Sequence, residues 1–396
     1  MKKQHLNLLL IVSIMFLQQI GLALIAPSLP QMSKAVNVSI ASILAFFILG
    51  QAIGQIFWGF ASDLLGRKKL LIAGLFLFAI SSFLIPFALN PYSVDFLRFI
   101  QGFSTSSMYA VTTALISDQS ENNQILIGSI SLSDLGFGLS WAILPLAGGL
   151  FAELGNWKTN FYIMTIIILA VAITSVFCIT ETRDFKKKKT TLQTAKIFLK
   201  MFIDYKYIVI PILMSLPNIF FFVFCSNSPV ILTHNFHFTA TKIGLFISIL
   251  GIFYILINYL NVKIFKKLDT AKTIKLCIIF FVISTIIQLI FALSGILNIY
   301  TLALPMIINV MIWGVIFPHI STTALNMYKE QAGTCSSNMG FIFYVLTFFG
   351  IFLFGYYFKI NFVGIAAFTF IIAMISIVCY VYAFKNKVLT PVVKNL

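Results

Sequence analysis

Gly59-Phe60-Ala61-Ser62-Asp63-Leu64-Leu65-Gly66-Arg67-Lys68-Lys69 is a short polar stretch, basic at one end, between two apolar segments each about a membrane thick. One acid beside a basic cluster, at the end of a long apolar segment, suits a switch better than a spacer. The segments on either side set the class. The chain of 396 residues is 60% apolar and 10% charged, with a mean hydropathy of +1.01, which excludes an ordinary soluble domain. A bilayer core of ~30 Å needs roughly 20 apolar residues per helix. Peptide groups in lipid must pair internally, so such runs become helices and not open sheets. Twelve runs are readable, at 6–27, 40–61, 70–89, 93–116, 126–150, 160–179, 207–232, 242–264, 273–294, 299–321, 334–357 and 362–384. The predicted fold is therefore an all-α membrane protein with 12 transmembrane helices.

The first run follows Lys2 and Lys3 but exceeds the length of a signal-peptide core, and Pro27 follows its small residues, so it is expected to stay as the first span. The net charge of +16 would point to nucleic acid in a soluble protein, but its distribution points to a membrane. With the N-terminus inside, cytoplasmic segments hold 22 of the 27 Lys and Arg, outer loops hold Lys34, Lys158, Lys242 and Lys359, and Arg98 lies within the fourth span. That bias places both termini in the cytoplasm; the setting expected is a bacterial cytoplasmic (inner) membrane, crossed many times. Cysteines 178, 225, 277, 335 and 379 stand singly within or at the ends of apolar runs. Their spacing fits neither a metal site nor a disulfide framework, so they read as packing residues.

The longest polar connection, 180–206, contains Lys186 to Lys189. After it Leu192, Ala195, Leu199 and Phe202 recur at helical spacing, opposite Gln193, Lys196 and Lys200. This is either an amphipathic helix on the inner leaflet or a flexible basic linker. It divides the chain into an N-terminal bundle (1–180), a cytoplasmic linker (181–206) and a C-terminal bundle (207–396).

The spacing G-x-x-x-D-x-x-G-R-K-K over 59–69 resembles the signature loop between helices 2 and 3 of major facilitator superfamily transporters, with Leu64 where that family usually carries Arg or Lys. The resemblance implies two pseudo-symmetric six-helix bundles. It also implies that Gly59, Asp63, Gly66, Arg67 and Lys68 form a conformational switch, Asp63 meeting the start of helix 11 (here Gly333-Thr334-Cys335-Ser336) when the cytoplasmic side closes. A carboxylate facing a helix N-terminus contributes ~0.3–1 kcal/mol if exposed and up to ~2 if partly buried. The bland alternative is a positive-inside turn with an incidental acid. Lys263, Lys266, Lys267, Lys272 and Lys275 repeat the charge between the eighth and ninth runs, without the Gly-to-Asp pattern.

Arg98-x-x-Gln101-Gly102 resembles the helix-4 motif of the same superfamily, where the Arg is tied to proton coupling. An Arg inside a span faces a partner or a watery cavity. Thr105, Tyr109 and Thr112 continue its face. Alternatively Arg98 snorkels to the outer interface and pairs with Asp95. Asp134 is an acid well inside the fifth run. Burial raises a carboxyl pKa and a nearby Arg lowers it, so an Arg that comes and goes would load and unload a proton. Asp134 could equally counter a cationic substrate or be a structural acid. Leu144-Pro145-Leu146-Ala147-Gly148-Gly149 resembles the Gly-Pro-x-x-Gly-Gly motif of proton-coupled exporters, with Leu144 replacing the first Gly. Pro145 would bend the helix, and Gly148 and Gly149 would let it pack closely.

Ala26-Pro27-Ser28-Leu29-Pro30, Asn156-Trp157-Lys158 with Phe161, and 332–340 look like the bicyclomycin/chloramphenicol-resistance branch of 12-helix drug:proton antiporters. Where some multidrug members carry an acid in helix 1, this chain has Gln18 and Gln19. With Gln101 and Tyr109, and with Asn218, Asn258, Asn309, Trp313 and Asn338 in the second half, these are the substrate-cavity candidates; buried Asn also commonly joins membrane helices. His319 could titrate or be an interfacial His, and His234 and His237 lack further metal ligands. A phosphate-binding loop, HExxH, nucleophile elbow and dinucleotide fingerprint are all missing, so neither an enzyme, a metal nor a cofactor is expected. The expected partners are the lipid bilayer, a small-molecule substrate and protons, with no nucleic acid, for a protein acting as a monomer. The function expected is export of a small amphiphilic molecule by proton-coupled alternating access. Alternatives are export of an endogenous metabolite such as a siderophore, an importer or facilitator on the same fold, and a channel or membrane sensor.

Overall fold

Hydrocarbon offers a peptide group no hydrogen-bond partner, and this chain meets that condition with helices. In the computed structural model the described residues are 2–119, 123–182, 191–263, 269–328, 331–386 and 388, with side chains excepted at 2–9, 117–119, 123–134, 191–194, 262 and 332. Among them there is no strand. The helices are α1 (Lys2–Leu17), α2 (Ile20–Ala23), α3 (Leu29–Val36), α4 (Ile40–Leu65), α5 (Arg67–Leu84), α6 (Pro91–Gln119), α7 (Asn123–Leu154), α8 (Trp157–Cys178), α9 (Thr191–Ile203), α10 (Tyr205–Phe236), α11 (Ala240–Lys263), α12 (Thr270–Leu293), α13 (Ile299–Met327), α14 (Ala332–Tyr357) and α15 (Phe362–Lys385).

Eleven spans among the described residues are long and apolar enough to cross a bilayer, the first of them Leu10–Val36. α6 matches them in length, at 29 residues, but is more polar. Its Gln101, Ser104, Thr105, Ser106, Ser107 and Thr112 are all buried, so they meet neighbouring helices and not lipid. It completes the twelve.

The first span departs from the single helix expected over 6–27. It runs on to Val36 and is interrupted at Gln18–Gln19 and again by a 3-10 turn at Ala26–Ser28. Pro27 and Pro30 do not end it. Each sits in the first turn of a new helical segment, where a missing N–H costs nothing.

Contacts group the chain into two compact units: Met1–Thr194 with Leu232–Gly251, and Ala195–Ile231 with Ile252–Leu396. In the first, α4 lies along α6, tied by Trp58 Nε1 donating to the Phe103 carbonyl (2.6 Å) and Ser106 Oγ to the Gln51 carbonyl (2.8 Å). In the second, α12 packs against α13 and α15.

Close helix approaches in the first unit occur between α4 and α6, at Gly50 and Gly102, and along α7. A Cβ on Gly148 would overlap the carbonyl oxygen of Leu24 at the end of α2, and one on Gly149 that of Ala240 on α11. Pro145 removes a donor from α7 and disturbs the turn around it. The Leu146 N–H donates to Ser248 Oγ of α11 at 3.1 Å. Gly148→Val must force two backbones apart, an overpacking cost of about 1–3 kcal/mol or more. The expected result is a lower detergent-solubilised Tm and folded yield. Gly333→Ala, where a Cβ meets nothing within 4 Å, is expected to leave both unchanged.

Candidate functional site

Arg98 is the polar centre of the first unit. It is 0% exposed. Three acceptors share its guanidinium. Nη1 donates to the Gly21 carbonyl (2.9 Å) and to Gln101 Oε1, and Nε donates to the Ile43 carbonyl (3.1 Å). The group also lies 4.3 Å from the centroid of the Phe47 ring. The Gly21 carbonyl belongs to the last turn of the short α2, where the helix ladder ends and an acceptor is left over. The break in the first span therefore supplies a ligand for the buried cation. Gln101 completes the link by donating Nε2 to Ser82 Oγ of α5 at 2.6 Å. α2, α4, α5 and α6 thus converge on one charge.

Asp95 is engaged separately, its Oδ2 accepting from Ser42 Oγ at 2.6 Å. Among the described residues no ion pair joins it to Arg98. Gln18 and Gln19 are buried at the break in the first span, and Gln19 Oε1 has no protein partner. Tyr109 is partly buried on α6, its carbonyl accepting from Thr112 and Thr113. Sequence reasoning missed Gln51 and Gln55, both buried on α4. Their signal was present: two glutamines one helical turn apart in an otherwise apolar run.

At the end of α4, Gly66 alone connects to α5, in the left-handed half of backbone space at φ 105°. This tight reversal puts Asp63 against Arg67, Oδ1 to Nη2 2.6 Å. Arg67 Nη1 also donates to Ser62 Oγ (2.6 Å), whose own hydroxyl donates to the Gly59 carbonyl (3.0 Å). The N-terminus of α5 is capped from elsewhere. Glu181, just past α8, accepts from the Arg67 N–H (2.8 Å) and the Lys68 N–H (3.1 Å), one through each carboxylate oxygen. A carboxylate there meets both the helix dipole and the basic cluster. Glu181 was not legible beforehand, because 114 residues separate it from Arg67.

The sequence profile of the Major Facilitator Superfamily matches residues 11–354. The chain belongs to that superfamily. Among curated relatives, a bicyclomycin resistance protein homolog of Haemophilus influenzae is 29% identical over 165 residues, 41% of each chain. Multidrug resistance protein 2 of Bacillus subtilis is 26% identical over 70% of this chain and 71% of that protein. The chloramphenicol resistance protein CraA of Acinetobacter baumannii is 28% identical over 65% and 63%. The first match thus spans less than half of its relative. Among solved structures, the xylose transporter XylE from E. coli superposes with a TM-score of 0.74 at 15% identity, covering 100% of both chains, a likeness of fold alone. A Major Facilitator protein is a transporter and not an enzyme.

In the second unit of this Major Facilitator chain the candidates separate into two kinds. Trp313 is buried with its ring centroid 5.2 Å from both Phe221 of α10 and Tyr254 of α11. Asn258 is partly buried one turn beyond Tyr254, donating Nδ2 to that residue's carbonyl at 2.9 Å. The other three asparagines join helices. Asn218 Nδ2 donates to Thr347 Oγ1 of α14 (2.7 Å), Asn309 Nδ2 to Ser284 Oγ of α12 (3.4 Å), and Asn338 Nδ2 to the Phe198 carbonyl of α9 (3.2 Å). Each keeps an Oδ1 without a protein partner. His319 Nε2 lies 3.3 Å from Asn261 Oδ1. Asp134 is on α7, but its side chain lies outside those described.

One further group was missed. Asp204 accepts from the Tyr328 hydroxyl at 2.7 Å and, through its other oxygen, from the N–H of Lys206 and Tyr207 (3.0 and 3.3 Å). Burial, and then the Asp204 carboxylate, push the Tyr328 hydroxyl pKa well above its usual value, so it stays a donor.

Hydrogen bonds to a charged donor are worth roughly 1.5–3 kcal/mol each, and Lys has no planar fork to reach three acceptors. Arg98→Lys is expected to lose about 2 kcal/mol or more of stability in a chemical unfolding series in detergent; unchanged stability would show that the acceptors do not hold the charge. Glu181→Gln keeps the shape of the α5 cap and loses its charge, an expected loss of ~0.3–1 kcal/mol that shrinks as salt is raised.

Proposed function

We propose that this chain exports a small amphiphilic molecule across a bacterial cytoplasmic membrane in exchange for inward-moving protons, by alternating access, as a monomer with both termini in the cytoplasm. The observation that carries this reading is the close seam of α7 on α11. The Leu146 N–H, one residue past Pro145, donates to Ser248, and Gly149 abuts Ala240, on the stretch that resembles the exporter motif. Such a seam, with few side chains between backbones, lets a bent helix rock without opening a leak. The drug-resistance names of the relatives support the substrate class.

In this scheme Asp134 carries the proton. Arg98, anchored by Gly21, Ile43 and Gln101, sets the field in which it titrates. Asp63 alternates between Arg67 and the start of the eleventh span, so the cytoplasmic side closes when the carboxylate changes partner. Gln18, Gln19, Tyr109, Asn258 and Trp313 meet the substrate without carrying its proton, and Gln101 holds Arg98 in place. A proton crossing 100 mV releases ~2.3 kcal/mol, enough for one or two protons to sustain a useful gradient.

Import on the same fold is the second reading, favoured by Leu144 in place of a Gly and by Gln18 and Gln19 in place of an acid. Everted vesicles holding a pH-sensitive dye separate the two. With an acidic lumen and labelled chloramphenicol outside, an exporter accumulates drug and alkalinises the lumen; an importer does neither, and a channel shows no saturation. Asp134→Asn is expected to abolish the proton-driven accumulation while preloaded vesicles still exchange drug. Unaltered drive would remove Asp134 from the scheme.

A further inference from the structure

The outer face of α9 is half apolar and half cationic. Phe198 (6% exposed) and Met201 (0%) turn inward. The rings of Phe198 and Phe202 lie 6.3 and 5.9 Å from Phe341 of α14, and Asn338 grips the Phe198 carbonyl. At about 100° per residue the opposite arc runs Leu199, Ile203, Lys196, Lys200. Leu199 is 62% exposed and Ile203 82%, and both lysines are exposed.

Neither bulk phase suits that arc. Hydrocarbon does not hold two ammonium groups, and a water-facing helix does not place its large aliphatics outermost. The boundary between the phases accommodates both, with aliphatics down and ammonium groups snorkelling up. The depth agrees. Asn338 and Phe341 lie roughly 9–14 Å along α14 from Ala332 at the helical rise, which sets α9 beside the outer part of a spanning helix and clear of its middle.

We propose that α9 is a binding surface for anionic phospholipid. Lys196 and Lys200 take the phosphate groups, and Leu199 and Ile203 enter the upper acyl region. Charge selects the occupant: α9 carries Lys196 and Lys200 and no acid. A zwitterionic surface offers these cations no net attraction, and an anionic one does. Through Asn338, the occupied surface steadies the start of α14.

The test is hydrogen–deuterium exchange on the full chain in nanodiscs of phosphatidylcholine, with and without phosphatidylglycerol. Exchange over 195–203 is expected to slow roughly tenfold or more in the anionic discs, since each lysine near an anionic surface is worth about fivefold. The double substitution Lys196→Gln, Lys200→Gln is expected to erase the difference between discs. Leu199→Ser with Ile203→Ser is expected to speed exchange in both. Equal exchange of the unaltered chain in the two discs overturns the proposal. So does slowing by inorganic phosphate added to phosphatidylcholine discs, which would make the ligand a free anion. Protection in detergent that grows with protein concentration would assign the face to a second copy and also overturn it. None of these readouts involves transport, so they stand or fall apart from the export reading.

Discussion

A polar group inside hydrocarbon has no water to bond, and leaving it unpaired costs several kcal/mol. Most of this molecule's distinctive geometry answers that constraint. Where a helix ladder is complete, nothing else is required. Where it ends or is broken, something specific arrives: Arg98 at the Gly21 carbonyl, Glu181 at the first amides of α5, Asp204 at those of α10. The breaks and their partners therefore have to be considered together. Without the end of the α2 ladder after Ala23, the Gly21 carbonyl that receives Arg98 would be spent inside a helix; without Arg98, that carbonyl would be orphaned.

The same constraint distributes chemistry unevenly. The first unit gathers fixed charge: a fully buried cation, an acid–base pair at a one-residue turn, and a capped helix start in contact with basic residues. The second unit holds its described membrane interior with amides, hydroxyls and aromatic rings, as at Asn218–Thr347 and around Trp313. Membership of the Major Facilitator Superfamily gives both halves a common purpose, transport.

Much of this was legible in the sequence, for identifiable reasons. Span number and helix type follow from apolar run length, because lipid leaves a peptide backbone almost no alternative. The 59–69 turn was readable as a turn because its members are eleven consecutive residues whose geometry is local; Gly66 at φ 105° and the Asp63–Arg67 pair both lie within it. The course of the first span was not. Proline after small residues looks like a helix end, and only the packing of the Ala26–Ser28 turn on α7, with Asn160 of α8 donating to Ser28 Oγ, shows what holds the bend at Pro27. Glu181 and Asp204 escaped notice because a carboxylate near a helix end looks like any surface acid until the helix it caps is known. The cavity candidates show the limit most plainly. Asn258 and Asn338 are equivalent as letters, yet one lies beside an aromatic cluster and the other holds α9 to α14.

By itself the sequence determined what depends on composition and near neighbours: that the chain lives in a membrane, how often it crosses, and which turn carries paired charges. Hydropathy and short-range spacing are properties of the string, and solvation acts on them directly. Only the tertiary structure decided which distant groups meet, that Arg98 rests on carbonyls of α2 and α4, that α7 lies on α11 through Gly149, and that α9 keeps a cationic, apolar face outward. Those facts depend on which face each helix turns to its neighbours. That choice is made by packing among all the helices at once, so no single stretch encodes it.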